Sequence, residues 1–486
     1  MRPALKLAPA VIALALTPSL ARAQVTPQSA QALEQQIHDW LSGLVGSMVG
    51  VPDRPITIAP EDDHYRVTLP LADALGGLGL DASNATFTAE ARLLPGDRWA
   101  LDDIHIPNLK VEVPDGMPGG PMTWSVNIPN QTISAVIDPS LATASTFDAQ
   151  ISGETSTTEG QSGAHASAVE HYAAHSVWMP TGDGRMDIIS TTDGDKMKAS
   201  QIMPDGTPLN WSVGKLHGSM HIDGVAAAAF VPMVHEAMDL APMFMEAQQA
   251  GHLSPAARQR TKALLTQIRN LFGGFGGDET LEDMRFESEG HSGGLRKLAV
   301  GFGAGADGGK LGIHIRLALD GLDSPDIPAG PLRQYMPQHV SIDPSITGVP
   351  VDDATQLLMT AIDSDQPDPA QLQEQALALL RKSPVTVAID HLDLDLGPAR
   401  LHGGGRVDIS APNAIRGQGT VSVVGLDALM QQATTVPELK PALPVLIMMK
   451  GLGQQQGNAT VWRIRYAANK VMVNDNDLTA LLQGMK

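Results

Sequence analysis

Between Ser383 and Val424 the chain alternates. Val385, Val387 and Ile389 are separated by smaller or polar residues, the period of a strand with one buried face. At Asp390 and His391 the phase slips, and the apolar positions resume as Leu392, Leu394 and Leu396. One extra residue in a ladder produces such a slip, so a β-bulge or register break is predicted at Asp390–His391. Val407 and Ile409, then Val421 and Val423, repeat the alternation after turn signals at Gly397-Pro398 and Ala411-Pro412-Asn413. Val461–Val473 supplies a partner of the same kind. The pattern specifies an antiparallel meander with one apolar face.

The rest of the chain reads as further strands with helices between them. From Pro55 to about Gly224 short alternating runs dominate, for example Tyr65–Leu69, Leu109–Val113, Trp124–Val126 and Met220–Ile222, with Gly, Pro, Asp and Asn between them. Residues 152–176 hold few large apolar side chains and read as a polar edge strand or a loop. Helical spacing marks Val225–Gln249 and Pro255–Phe272, and Gly273–Gly277 then breaks the chain. The second half repeats the order: strands around Met284–Phe286, Leu298–Val300 and Ile313–Leu317, then helices Val351–Ile362 and Pro369–Lys382. The meander comes next, then helices Leu426–Gln432 and Leu439–Met449 and the closing strands. The fold class expected is α+β, mostly antiparallel β: long curved meander sheets with amphipathic helices packed on one face. Sheets before helix pairs, twice over, suggest a duplicated unit. The boundaries expected are a signal peptide at 1–23, an N-terminal amphipathic helix at 24–51, a β-rich unit with a helical hairpin at 52–275, and a second β-rich unit at 276–486.

The first residues bear on compartment. Arg2 and Lys6, the apolar run Val11–Leu16 and the small-x-small site Ala21-Arg22-Ala23 are the three parts of a secretory signal peptide. Periplasmic localisation is therefore expected, with no transmembrane span once the signal is cleaved. Export normally permits disulfides, yet the 486 residues include no cysteine. Stability must come from core burial, which a chain this long can supply. The formal net charge of −20 repels nucleic acid and anionic headgroups, and removing residues 1–23 makes it more negative. With 4% aromatic residues, stacking platforms for bases are not expected. The predicted helix over 27–49 carries Leu33, Ile37, Trp40, Leu41, Leu44 and Met48 on one face, and its polar face lacks Lys and Arg. That favours packing on a sheet over lying on a membrane.

Four runs in the closing hundred residues carry a resemblance. They are Ala376–Val387, which ends a helix, passes Ser383-Pro384 and enters a strand; Gly403-Gly404-Gly405-Arg406-Val407-Asp408-Ile409; Gly417–Leu429; and Val473–Leu478. Their order resembles an alphaproteobacterial family of envelope proteins of unknown function, and is more distantly similar to YdgA-like and AsmA-like β-rich proteins. The resemblance covers about the last third of the chain. It implies a long curved antiparallel sheet with helices along one side, and envelope maintenance or lipid handling as in AsmA-like proteins. It brings no catalytic residues.

Motifs that could carry chemistry are few. Gly290-His291-Ser292-Gly293-Gly294 matches a nucleophile elbow and His402-Gly403-Gly404-Gly405 an oxyanion loop. The elbow needs a buried strand before it and a helix after it. Leu281–Glu289 is charged, and the residues after Ser292, Leu295–Val300 and Gly301–Gly305, are not helical in pattern. Hairpin turns are therefore expected at both motifs. His171 and His175, with Glu170 beside them, would share a face on a helix, as metal ligands can, but there is no HExxH motif and polar loop histidines are expected. Asp193-Gly194-Asp195 and Asp475-Asn476-Asp477 lack the series of a calcium loop and read as turns. Asp102-Asp103 and Asp352-Asp353 are paired acids, the second at a helix start where carboxylates meet free amides. No catalytic residue, cofactor or metal is expected. The groove-lining candidates are Met233, Met238, Met243 and Met245, a methionine stripe of the kind that fills cores or lines flexible apolar sites. The expected function is a non-catalytic exported envelope protein that handles an apolar ligand or lipid. The alternatives are an assembly factor that binds another envelope protein, and a serine or metal hydrolase.

Overall fold

The computed structural model describes residues 25–34, 56–70, 81–113, 121–138, 143–226, 252–324, 336–363, 368–411 and 414–479, apart from single or paired positions within them, together with Arg333 and scattered positions between 229 and 247. The predicted signal peptide and most of the predicted helix over 27–49 lie outside the described residues. The chain divides into two compact units, Met1–Gly273 with Phe286–Glu289, and Gly274–Arg285 with Gly290–Lys486. The fold is mostly antiparallel β in meander order, as the alternation requires.

In the N-terminal unit the strands are β1 (Thr57–Glu61), β2 (His64–Pro70), β3 (Asp81–Ala82), β4 (Thr86–Leu94), β5 (Arg98–His105), β6 (Leu109–Val113), β7 (Met122–Asn127), β8 (Asn130–Asp138), β9 (Thr143–Gly160), β10 (Gly163–Gly182), β11 (Arg185–Ile202) and β12 (Pro208–Ala226). Pairing runs β1-β2-β4-β5-β8-β9-β10-β11-β12, all antiparallel. The long β9 pairs β8 along its first half and β7 along its second. Alternate residues of β2 are buried, and Tyr65, Val67 and Leu69 join Trp99, Leu101, Ile104, Ile133 and Ile137 in one core. The Tyr65 and Trp99 rings meet edge to face at 5.8 Å. Ala30 and Leu33, from the described part of the N-terminal helix, are buried in the same core, so that segment packs on protein.

The described residues of 152–176 are neither an edge strand nor a loop. They lie in β9 and β10, and β10 has a ladder on each side. Over Gly163–Val169 the strand has mostly small side chains, with Val169 its one buried residue, and small side chains give little periodic signal. β12 also continues to Ala226, past the predicted helix start at Val225. The described residues between Ala229 and Ala247 are helical, and α1 (Pro255–Leu271) comes after them. Arg260 grips Glu236 through two bonds of 2.7 and 3.0 Å, joining the two helical stretches.

The C-terminal unit contains most of β13 (Gly274–Ser288), then β14 (His291–Asp307), β15 (Lys310–Asp323), β16 (His339–Pro350), β17 (Val385–Asp395), β18 (Arg400–Ile409), β19 (Ile415–Val424), β20 (Gln454–Gln456), β21 (Ala459–Ala467), β22 (Lys470–Val473) and β23 (Asn476–Asp477). From β14 to β19 each strand pairs with the next, and β19 then pairs β21. Helices α2 (Val351–Asp363) and α3 (Pro369–Lys382) connect β16 to β17. The Asp368 side chain caps α3 by accepting from the Ala370 amide at 2.9 Å, and Pro369 opens the first turn. Helices α4 (Leu426–Thr435) and α5 (Leu443–Leu452) connect β19 to β20. The β17–β18 register runs to Ile389↔Gly405 and resumes at Leu392↔Gly403. Asp390 and His391 therefore stand together opposite Gly404, which is the predicted bulge.

Candidate functional site

The registers line up apolar residues of the C-terminal unit in rows across the strands. One row is Ile313, Ile346, Val387, Val407, Gly417 and Tyr466. A second is Pro344, Ile389, Gly405, Gly419 and Ile464. A third is Leu317, Ile342, Leu392, Gly403, Val421 and Trp462, and a fourth is Leu319, Val340, Leu394, Leu401, Val423 and Thr460. Residues in one row share one side of the sheet, so the four rows form a single apolar face.

Cover on that face is uneven. At the β18–β21 end of the third and fourth rows, α4 and α5 lie on the sheet. Leu426, Leu429, Leu446, Met449 and Leu452 pack around Leu401, Val421, Val423 and Trp462. Trp462 is 4% exposed, and its indole N–H donates to the Met449 carbonyl at 2.8 Å. Among the described residues no helix packs in this way on the first two rows. Ile313, Ile346, Val387, Val407, Ile389 and Ile464 are all large apolar side chains left exposed. Ile315, at 46%, and Phe302, at 41%, extend the open stretch across β15 and β14. Phe275 on β13 stands 6.2 Å from Phe302, ring to ring, and is exposed as well. A run of exposed aliphatic residues on adjacent strands is unusual in a chain that keeps its surface in water.

The other side of the same strands is polar and charge-paired. His339 meets Asp320 at 2.6 Å, Arg400 meets Asp395 at 2.9 Å and His402 meets Asp393 at 3.1 Å. A cavity of about 690 Å³ opens over Gly404, lined by Arg406, Gln418, Thr420, Arg463 and Arg465 of this side and bordered by Ile389, Gly405, Gly419 and Ile464 of the second row.

Titratable groups of the N-terminal unit gather at His64. Its ring lies 3.1 Å from Asp63, 3.3 Å from Glu61 and 3.7 Å from Glu90. The hydrogen bond with Asp63, helped by the charges of Glu90 and Glu61, raises the His64 pKa above its usual value. The bond from Arg66 lowers that of Glu61, and the bond with His64 lowers that of Asp63. Burial alone pushes Glu154 up, and it is the largest cause for Tyr172 as well. A smaller cavity of about 350 Å³ lies beside this group, lined by Tyr65, Arg92 and Leu93.

Met233 and Met243, two of the four predicted groove residues, are helical and half-buried, while Met238 and Met245 lie outside the described residues. His171 and His175 sit on strand β10, not on a helix, so four residues separate them by roughly 13 Å. Each faces its own neighbour, Ser152 at 2.9 Å and Asp148 at 2.6 Å. Among the described residues no group of three or more His, Cys, Asp or Glu is placed to hold a metal. Ser292 opens β14 straight after the Glu289-Gly290 turn, where both residues have positive φ, so the motif is a hairpin. His402–Gly405 is not a turn but the interior of β18, and Asp193-Gly194-Asp195 is the interior of β11. Asp475 does sit in a turn, at φ 71°. Asp352 and Asp353 occupy the first turn of α2, and Asp102 is paired with Arg92. Among the described residues no helix is long and apolar enough to cross a membrane.

The fold and its faces define an antiparallel meander protein with a partly capped apolar side. Residues 297–467 match a family described as an uncharacterized protein conserved in bacteria (DUF2125). The matched span runs from within β14 to the end of β21, and so covers both the open stretch and its helical cap. No curated protein and no solved structure matches the chain.

Proposed function

We propose that the protein is a non-catalytic envelope protein, exported to the periplasm, whose C-terminal unit holds lipid acyl chains on its open apolar face. The observation that carries this reading is the pair of uncovered rows through Ile313–Val407 and Ile389–Ile464. Their occupant must tolerate a surface whose one polar group is the Tyr466 hydroxyl at its far end. Protein interfaces carry Tyr, Trp, Arg and hydrogen-bonding groups at their centres, whereas these rows offer only Val, Ile, Phe, Pro and glycine backbone between β14 and β19. Acyl chains need no directional partner and fit that chemistry. The neighbouring strands are already paired, so an added strand has no edge to join there. The predicted signal peptide and the likeness to alphaproteobacterial and AsmA-like envelope proteins agree with this compartment and role.

Lipid extraction from full-length protein purified out of its native envelope, followed by mass spectrometry, tests the proposal. Acyl lipid at near one-to-one ratio or above is the expected result. Repeated lipid-free preparations that form a dimer or a stable heterocomplex through the Ile315 side of the sheet would overturn it in favour of the assembly-factor reading.

A further inference from the structure

The opposite side of the sheet carries a second feature, built from other side chains than the apolar rows. Two polar rows lie next to each other there. One is Arg406, Gln418 and Arg465, and the other is Gly404, Thr420 and Arg463. Strand spacing places the backbones of Arg406 and Arg465 roughly 10 Å apart, with Arg463 about 7 Å along β21 from Arg465. Three guanidinium groups can thus converge over one small area. Gly404 leaves the centre of that area without a side chain. A Cβ there would stand 3.1 Å from the Ile389 carbonyl and 3.2 Å from that of Asp390, so any larger residue would press on the bulged strand. The bulge and the glycine together make the hollow, and the arginines surround it.

The local charge is the reverse of the chain's. Three arginines face Asp390 and Asp475 across the cavity, in a protein whose net charge is −20. Asp390 is bonded by the Ser345 hydroxyl at 2.6 Å and Asp475 by Arg465 at 2.5 Å. Arg463 donates to the Gln454 amide oxygen at 3.0 Å. With its amide oxygen turned inward, Gln418 accepts from both Nε and Nη2 of Arg406, at 3.1 and 3.0 Å. Neutral partners therefore hold two of the three guanidiniums in place without cancelling their charge. Arginine forks match tetrahedral oxyanions in geometry, and the Thr420 hydroxyl adds a further donor.

We propose that this hollow binds a phosphate-type oxyanion, presented either as a free phosphate compound or as the headgroup of an anionic lipid. Calorimetric titration of the full-length protein with inorganic phosphate at low ionic strength is one arm of the test. Flotation with phosphatidylglycerol vesicles, against phosphatidylcholine vesicles, is the other. Expected is saturable binding in at least one arm, weakened tenfold or more by Arg406→Gln with Arg463→Gln. Arg416→Gln, at a β19 position outside the cavity, should leave it unchanged. Binding of inorganic phosphate assigns a free ligand, and arginine-dependent flotation without it assigns a headgroup. Where the double variant loses its cooperative thermal transition, the single Arg463→Gln variant, with an exposed side chain, carries the comparison. No saturable binding in either arm, or binding that Arg463→Gln leaves intact, overturns the assignment. Because the hollow's charged groups, Arg406, Arg463 and Arg465, are not members of the apolar rows, lipid extraction can fail while phosphate binds, and the reverse.

Discussion

The two ends of the apolar rows in the C-terminal unit are built from the same kinds of residue and differ in what lies on them. Around Trp462 the face is closed by α4 and α5. Around Ile313 and Ile346 it is left to solvent. Both ends lie in paired strands, with a register shift between Leu311 and Ile313 at the open one, so pairing alone does not set them apart. Burial does: at about 25 cal/mol per Å² of apolar surface removed from water, the closed end stabilises the fold and the open end contributes little until something covers it. One face thus divides its work between holding the unit together and offering surface.

That contrast can be broken at several points. The largest effect is expected at the closed end. Trp462→Ala removes a buried indole and its bond to Met449, and should cost about 3–5 kcal/mol, read as a lower denaturation midpoint with earlier hydrogen exchange in α4 and α5. Gly425→Ala comes next. Gly425 has φ 80° at the start of α4, and a Cβ would collide with the Pro398 carbonyl, so a loss of about 3 kcal/mol is expected by the same measurements. At the open end, Ile346→Thr and Val387→Thr should each change stability by less than about 1 kcal/mol while lowering the amount of lipid that copurifies. A large loss of stability there would mean that the open rows belong to the core.

The smallest effect is expected in the N-terminal unit, and its sign is set by the groups at His64. The folded pKa of His64 is raised above 6.5, so its contribution is complete below about pH 6.5 and fades as pH rises through the folded value. Glu61 and Asp63 are lowered from 4.5 and 3.8, so theirs is complete above those values and is lost as pH falls through the lowered ones. Thermal melts of this unit should therefore be most stable between about pH 4.5 and 6.5, and His64→Gln should flatten the alkaline limb. An unchanged alkaline limb would show that the ring does not gain its charge from this cluster.

Alternation made most of the C-terminal unit legible. The slip at Asp390–His391, the boundaries of α2 and α3, and the meander order could all be read because the strands carry large aliphatic residues at period two. The N-terminal unit was harder. In β9 and β10 large core residues such as Phe147, Val169 and Trp178 are spaced apart by runs of alanine, serine and threonine, and small side chains give alternation without contrast, so a central ladder read as an edge. Glycine misled in the same way: His402–Gly405 and Asp193–Asp195 look like turns, yet they are strand interiors, the first one where neighbouring backbones approach closely. The open face was only half visible. The residues of its rows can be picked out one strand at a time, but whether a helix lies over them depends on where α4 and α5 dock, which no local pattern records. The arginine hollow could not be read at all, since Arg406, Arg463 and Arg465 meet only once the β18–β19–β21 register is fixed.

The wrinkle in β17 has a consequence for how this sheet can change. Asp390 and His391 share one place in the ladder, so deleting either would smooth the strand without turning Leu392 or Leu394 to the other side. The oily surface would survive such a deletion, while the pit above Gly404 would lose the backbone that crowds it. The two sides of the sheet are therefore separable by the removal of one amino acid.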